Sequence, residues 1–283
     1  MKQRNALWAI HLGALLFGLS GIFGKLASTT PQMISAGRAL FAVAALLLFA
    51  KLISNARLVR LGVRLTGLLA LGGLLLGAHW WSFFESVHIS GVAIATLGFA
   101  SFPAFTVLLE GLLFKERTRP VEYAMVALVC LGLVLVTPHF DLSSQATSGL
   151  LWAVLSGLLF ALLSLLNRAS TRGIEPVQAA LYQNLTVLLV FLPLAWPTLP
   201  SVLAQDWLWM AMLGIFCTGL AHSLFVASLR VLKARTTAVI FALEPIYGIA
   251  FAWLLFSEVP TLRMLAGGLL IVSAIFISAR MAR

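Results

Sequence analysis

Charge is what this sequence holds least of. Its 283 residues include 9 Asp and Glu and 19 Lys and Arg, 10% in all, where a soluble domain carries roughly a quarter. Hydrophobic residues make up 61%, and together these figures exclude a soluble fold. Cysteine is nearly absent. Cys130 and Cys217 stand far apart, each inside an apolar run, which excludes a disulfide framework or a cysteine metal cluster. No Cys, Asp or Glu lies at metal-ligand spacing around His79 or His222, so no metal and no other cofactor is expected. A G-x-x-x-x-G-K phosphate loop is missing, which leaves ATP out as the energy source. The Ser/His/Asp grouping or acidic metal motif of a membrane-embedded enzyme is missing too.

What is there is a series of uncharged runs: 6–24, 39–50, 65–84, 86–109, 123–140, 142–167, 176–205, 207–229, 236–243 with 245–257, and 264–279. They lack the alternation of a membrane β-barrel. A helix needs about 20 apolar residues to cross the hydrocarbon core, so the runs predict an all-α integral membrane protein with ten transmembrane helices. Ten spans take about 200 residues and leave no room for a folded domain outside the bilayer. Two spans carry a charge inside them, Arg38 in the second and Glu244 in the ninth.

The net charge of +10 would suggest a nucleic-acid partner in a soluble chain. In a membrane chain, what matters is where the basic residues fall. If ten spans alternate, the segments holding Lys2, Arg57, Arg117, Arg172, Lys233 and Arg283 lie on one side and gather sixteen of the Lys and Arg residues. The opposite loops hold only Lys25 and Arg263, among Asp141, Asp206 and Glu258. The positive-inside rule then puts both termini in the cytoplasm. The expected location is the inner (plasma) membrane, with the lipid bilayer and no nucleic acid as partner.

The chain also repeats itself. The stretch from Pro103 (PAFTVLLEGLLFKE) and that from Pro245 (PIYGIAFAWLLFSE) both end in L-L-F-x-E, with Glu116 and Glu258 each thirteen residues after the proline. Ala78-His79 matches Ala221-His222, and Leu7-Trp8-Ala9 matches Leu151-Trp152-Ala153 at an offset of 144. The first span therefore recurs as the sixth and reads as part of the fold, not as a cleaved signal. Two five-helix repeats, 1–140 and 141–283, are expected. Five is odd, so the second repeat enters the membrane from the opposite face. Inverted repeats are a recurrent architecture of secondary transporters, because two such halves can expose a central site to each side in turn.

The doubled pattern of a mid-span proline, L-L-F-x-E and a short Gly-rich helix resembles the drug/metabolite transporter superfamily, in its ten-helix EamA branch. The resemblance covers residues 6–280. It implies cytoplasmic termini and a central cavity lined by helices 1, 3, 4, 6, 8 and 9, with helices 5 and 10 peripheral. It also implies export of amino acids or related metabolites, or, in some members, of toxic organic compounds.

Candidate site residues follow from polarity at depth. An ionised carboxylate at the position of Glu244 costs about 2.5–3.5 kcal/mol unless it faces a cavity or a partner. Glu244 is thus a candidate proton carrier or partner for a substrate ammonium, with Pro245 next to it freeing a backbone carbonyl one turn earlier and Tyr247 three positions on. Its repeat partner is the apolar Phe102. His79 and His222 occupy matching places, and His79 adjoins Trp80 and Trp81. Arg38 either snorkels to the interface or turns inward to bind a substrate carboxylate. Phe17 and Phe99 fall mid-span in cavity-lining helices. Lys25 reads as an interfacial anchor, Glu110 as a partner of nearby Lys115, and Glu116 and Glu258 as caps of the helices that follow them. The Gly72-Gly73 and Gly267-Gly268 pairs read as points of close helix approach. The sequence is read as a secondary transporter exporting amino acids or related small metabolites by alternating access, with protons a candidate coupling ion. The alternatives are an exporter of toxic organic compounds, a channel, or a non-transporting membrane protein.

Overall fold

The computed structural model describes residues 3–51, 59–115, 119–137, 141, 143–170, 174–229, 231–232, 240 and 243–281, without the side chains of 225–227, 229 and 278–281. Arg57, Glu116, Arg117, Arg172 and Lys233 lie outside these residues, as do Lys2 and Arg283.

Among the described residues every regular element is helical. Helix α1 is Gln3–Leu26 and α2 is Pro31–Phe49. The stretch Val63–Phe99 is broken at Gly91 into α3 (63–90) and the first part of α4 (92–99), which Phe102–Leu113 completes. Then follow α5 (Pro120–Val136), α6 (Gln145–Ser170) and α7 (Pro176–Ala195), the last prolonged by the 3₁₀ turn Trp196–Ser201. Helix α8 runs from 204 to 229 through Ala204–Met212, a π-helical stretch Leu213–Leu220, and Ala221–Leu229. Helices α9 (Glu244–Phe256) and α10 (Leu262–Met281) complete the set. Among the described residues, six helical stretches are long and apolar enough to cross a bilayer alone, and four more are shorter apolar helices. This is the ten-helix, two-repeat membrane fold.

Prolines mark the starts. Pro31, Pro120 and Pro176 each occupy the first turn of a helix, where a missing N–H costs nothing. Thr30 caps α2 by accepting from the Met33 N–H at 3.3 Å.

The boundary between α3 and α4 differs from the expected one. Charge patterning cuts the chain at Glu85, but Glu85 stays inside α3 and accepts a hydrogen bond from Trp81 Nε1 at 3.1 Å. The break falls at Gly91, with φ 84° and ψ 171°. Only glycine adopts that backbone readily.

Packing follows the repeat. Helix α3 packs on α6 as α8 packs on α1; α4 packs on α6 as α9 packs on α1; α2 pairs with α7 and α5 with α10. Exchanging the two halves turns each of these pairs into another or into itself. Both glycine pairs mark close approaches. A Cβ on Gly73 would lie 2.6 Å from the Gln183 carbonyl of α7, and one on Gly267 would lie 2.6 Å from the Gly132 carbonyl of α5.

The L-L-F-x-E motif is a helix stop in both halves. Its x residues, Lys115 after α4 and Ser257 after α9, have φ of 54° and 57°, the left-handed conformation that ends helices. A cation from the first helix of a repeat sits over each motif phenylalanine. Lys25 Nζ lies 4.8 Å from the centre of the Phe256 ring, and Arg168 Cζ lies 5.1 Å from that of Phe114.

Three expected partnerships are revised. Glu110 pairs with Arg168 at 2.5 Å, not with Lys115. Helix α4 brings Glu110 alongside α6, whereas Lys115 lies past the helix end. Glu258 caps α4 of the other repeat instead of the helix that follows it, accepting from the N–H groups of Val92 at 3.0 Å and Ala93 at 3.3 Å. Lys25 is more than an anchor, because its ammonium pairs with that same Glu258 carboxylate.

Candidate functional site

Arg38 is turned into the bundle and only 5% exposed. Two contacts fix its guanidinium. Its Nε–H donates to Thr218 Oγ1 at 2.8 Å, and its Cζ lies 4.0 Å from the centre of the Trp80 ring. The π-helical stretch of α8 presents Thr218. The Thr218 hydroxyl donates to the Leu213 carbonyl five residues back, at 3.0 Å, and keeps a lone pair for Arg38. Such π segments are rare and recur at functional sites. Gly214, in the same stretch, lets α2 approach: a Cβ there would lie 2.5 Å from the Arg38 carbonyl oxygen.

Glu244 begins the described part of α9 and is half-buried. Its backbone rests on α1 at Gly18, where an added Cβ would meet the Glu244 carbonyl and Tyr247 Cβ, each at 3.0 Å. Arg38 and Glu244 lie within electrostatic reach of one another. They are not paired directly, since the ion pairs found among the described residues are Lys25–Glu258 and Arg168–Glu110. Cys217, on α8, lies beside Ser20 of α1 and within electrostatic reach of both groups. Arg38 and Glu244 are thus a cation and a carboxyl group inside the bundle that form no ion pair with each other.

His79 is 7% exposed and bound to α6. His79 Nδ1 lies 2.7 Å from Ser156 Oγ and 3.2 Å from the Ser156 carbonyl oxygen, which can only accept, so a proton on Nδ1 fits the site and leaves the Ser156 hydroxyl to donate to the His79 carbonyl at 3.1 Å. That leaves Nε2 as an acceptor. Around the imidazole stand Phe99 and Phe160, each 5.0 Å between ring centres, and Phe83 at 6.5 Å. Phe102, the repeat partner of Glu244, stacks on Phe99 at 5.3 Å. Phe99 is therefore part of an aromatic box around His79, and Arg38 lies within electrostatic reach of that histidine.

The other expected residues are more scattered. Tyr247 directs its hydroxyl towards His11 Nδ1 on α1, 3.5 Å away. Phe17 is half-buried on α1, next to Gly18. His222 is half-buried on α8, two residues past the π stretch. Sequence reasoning passed over Thr218, Phe160, Ser156 and His11. His11, a polar residue inside the first span, carried a signal that could have been used. Thr218 did not, because its role depends on the π register.

Beyond this interior, at the end of the bundle that holds Lys25 and Glu258, an open vestibule of about 1010 Å³ is lined by Lys25, Thr30, His88, Thr198 and Glu258 among others. Among the described residues no group of His, Cys, Asp and Glu is arranged to hold a metal ion.

Comparison with known proteins gives a consistent picture. An uncharacterized transporter, YxxF, of Bacillus subtilis is 25% identical over 61% of this chain, which spans 57% of that relative's length. The pseudopaline exporter CntI of Pseudomonas aeruginosa is 28% identical over 68% of this chain and 67% of its own. A solved crystal structure superposes over 100% of this chain and 99% of its own with a TM-score of 0.68 at 19% identity, a likeness of fold. The model of the EamA-like transporter family matches twice, over residues 4–137 and 147–280. With one family domain in each half and relatives named as transporters, the chain belongs to the EamA-like transporter family, within the drug/metabolite transporter superfamily, and is not an enzyme.

Proposed function

We propose that this transporter exports amino acids or related small zwitterionic metabolites across the inner membrane by alternating access. The observation that carries the reading is the relation of Arg38 to Glu244: a guanidinium and a carboxyl group inside one bundle, within reach of each other but forming no ion pair together. A buried charge is costly unless it meets a partner. A substrate with a carboxylate and an ammonium supplies both partners at once, and the fixed guanidinium suits a carboxylate in particular. Outward transport is supported by the relative named as an exporter. The basic loops support cytoplasmic termini, which makes the Lys25 and Glu258 end the outer one. Glu244 is the group we assign to the substrate ammonium or to an exchanged proton.

A second reading, export of toxic organic compounds, draws on a different observation. The box of His79, Phe83, Phe99, Phe102 and Phe160 offers ring faces to a flat, apolar solute. Uptake into proteoliposomes of a panel of amino acids and of aromatic amines, with and without a pH gradient, separates the two readings. Saturable transport of amino acids supports the first, and transport of the amines alone supports the second.

A further inference from the structure

Glu258 does more than end α9. Its carboxylate meets the Lys25 ammonium from α1 and the first two N–H groups of α4, at Val92 and Ala93. One side chain of the second repeat thereby ties together two helices of the first. Gly91 makes room for it, since a Cβ there would lie 2.9 Å from a Glu258 oxygen. The charges favour this arrangement, because a carboxylate is stabilised both by an ammonium and by the positive end of a helix. The tie lines the vestibule. Past it the helices close up: a Cβ on Gly21 of α1 would lie 2.8 Å from Val92 Cγ1 on α4, and one on Gly18 would meet α9. The vestibule is therefore separated from Arg38 and Glu244 by helices that Glu258 holds together.

We infer that Glu258, clamped between Lys25 and the N-terminus of α4, is the latch of the outer gate, and that releasing it opens the path from the vestibule to the central site. The inference rests on the alternating-access reading above. Opening the outer face moves α1 and α4 away from α9, and that motion breaks all three contacts of the carboxylate. Lys25 is then a positioning residue that holds the carboxylate on the helix end, with Phe256 beneath its ammonium.

The test reads access and transport separately. With Cys130 replaced by Ala, Cys217, buried beside Arg38, is the remaining thiol. Ser20→Cys in a chain lacking both native cysteines is a second reporter, and Thr198→Cys in the vestibule is a control. An anionic, membrane-impermeant methanethiosulfonate is applied to intact cells. Modification of the central reporters is expected to rise at least tenfold in Lys25→Met and Glu258→Gln and further in Glu258→Ala, while Thr198→Cys reacts equally in every background. Gln keeps an oxygen for the Val92 and Ala93 N–H groups, and Ala keeps none. Equal effects of Gln and Ala would overturn the capping role. Unchanged rates at both reporters, in variants with the wild-type melting temperature, would overturn the latch. If access rises as expected while the wild type moves no amino acid, the latch stands and the proposed function falls. Amino-acid transport with unchanged access gives the reverse.

Discussion

Arg38 of α2 and Trp80 of α3 are stacked, with the guanidinium carbon 4.0 Å from the centre of the indole ring. The ring face stabilises a cation away from water by about 2 kcal/mol or more, and Thr218 takes the Nε–H. The remaining guanidinium nitrogens are held in a fixed plane. Arg38→Lys keeps the charge but loses the plane and the Thr218 bond. We expect it to weaken substrate binding at least tenfold, equivalent to about 1.4 kcal/mol. Thr218→Val should have a smaller effect of the same kind. Equal KM values for Arg38→Lys and the wild type, measured in proteoliposomes, would remove Arg38 from the site.

Glu244→Gln retains shape and hydrogen bonding but neither carries a negative charge nor exchanges a proton. If the carboxyl carries a proton, accumulation driven by a pH gradient should be abolished and passive exchange spared. If it binds the ammonium, affinity should fall in both assays. Unchanged accumulation and affinity at normal stability would leave Glu244 as an interhelical contact alone.

The bond between His79 and Ser156 links α3 to α6 in both directions. A double-mutant cycle with His79→Ala and Ser156→Ala, followed by thermal unfolding in detergent, should return a coupling of about 0.5–1.5 kcal/mol. Ser156→Ala alone should lower the melting temperature without raising KM, because the bond positions the imidazole and does not meet the solute. A KM effect without a stability effect would contradict that division of roles.

At Gly91, φ 84° and ψ 171° place the backbone where a side chain costs about 1–3 kcal/mol, and an added Cβ also meets Glu258. Gly91→Ala should therefore destabilise the protein. Gly67→Ala, in α3 with nothing within 4 Å of the new methyl, should be neutral or stabilising, since alanine is the better helix former. Equal melting temperatures for the two variants would show that the break at Gly91 carries no constraint.

The helices and their repeat were legible because an apolar run of span length has few alternatives in a membrane, and because L-L-F-x-E is a doubled helix stop. The α3–α4 boundary was not, since the charge of Glu85 marked a place where the helix in fact continues and a single glycine among several marked the turn. Arg38 and Glu244 stood out because charges inside spans are rare. Their spatial relation did not, because it is set by the packing of α2, α8 and α9. Glu258 was visible as a helix-end residue, but its partners lie 166 and 233 residues away in sequence, and no local pattern encodes such a contact.

A central site built on Arg38 and Glu244 is tested most directly by exchange in proteoliposomes of three forms of one transported amino acid: the zwitterion, its carboxamide and its N-acetyl derivative. Wild type, Arg38→Ala and Glu244→Gln are compared. The wild type is expected to favour the zwitterion, Arg38→Ala no longer to distinguish it from the carboxamide, and Glu244→Gln no longer to distinguish it from the N-acetyl form. Preferences left intact in both variants would contradict a central site built on these two charges.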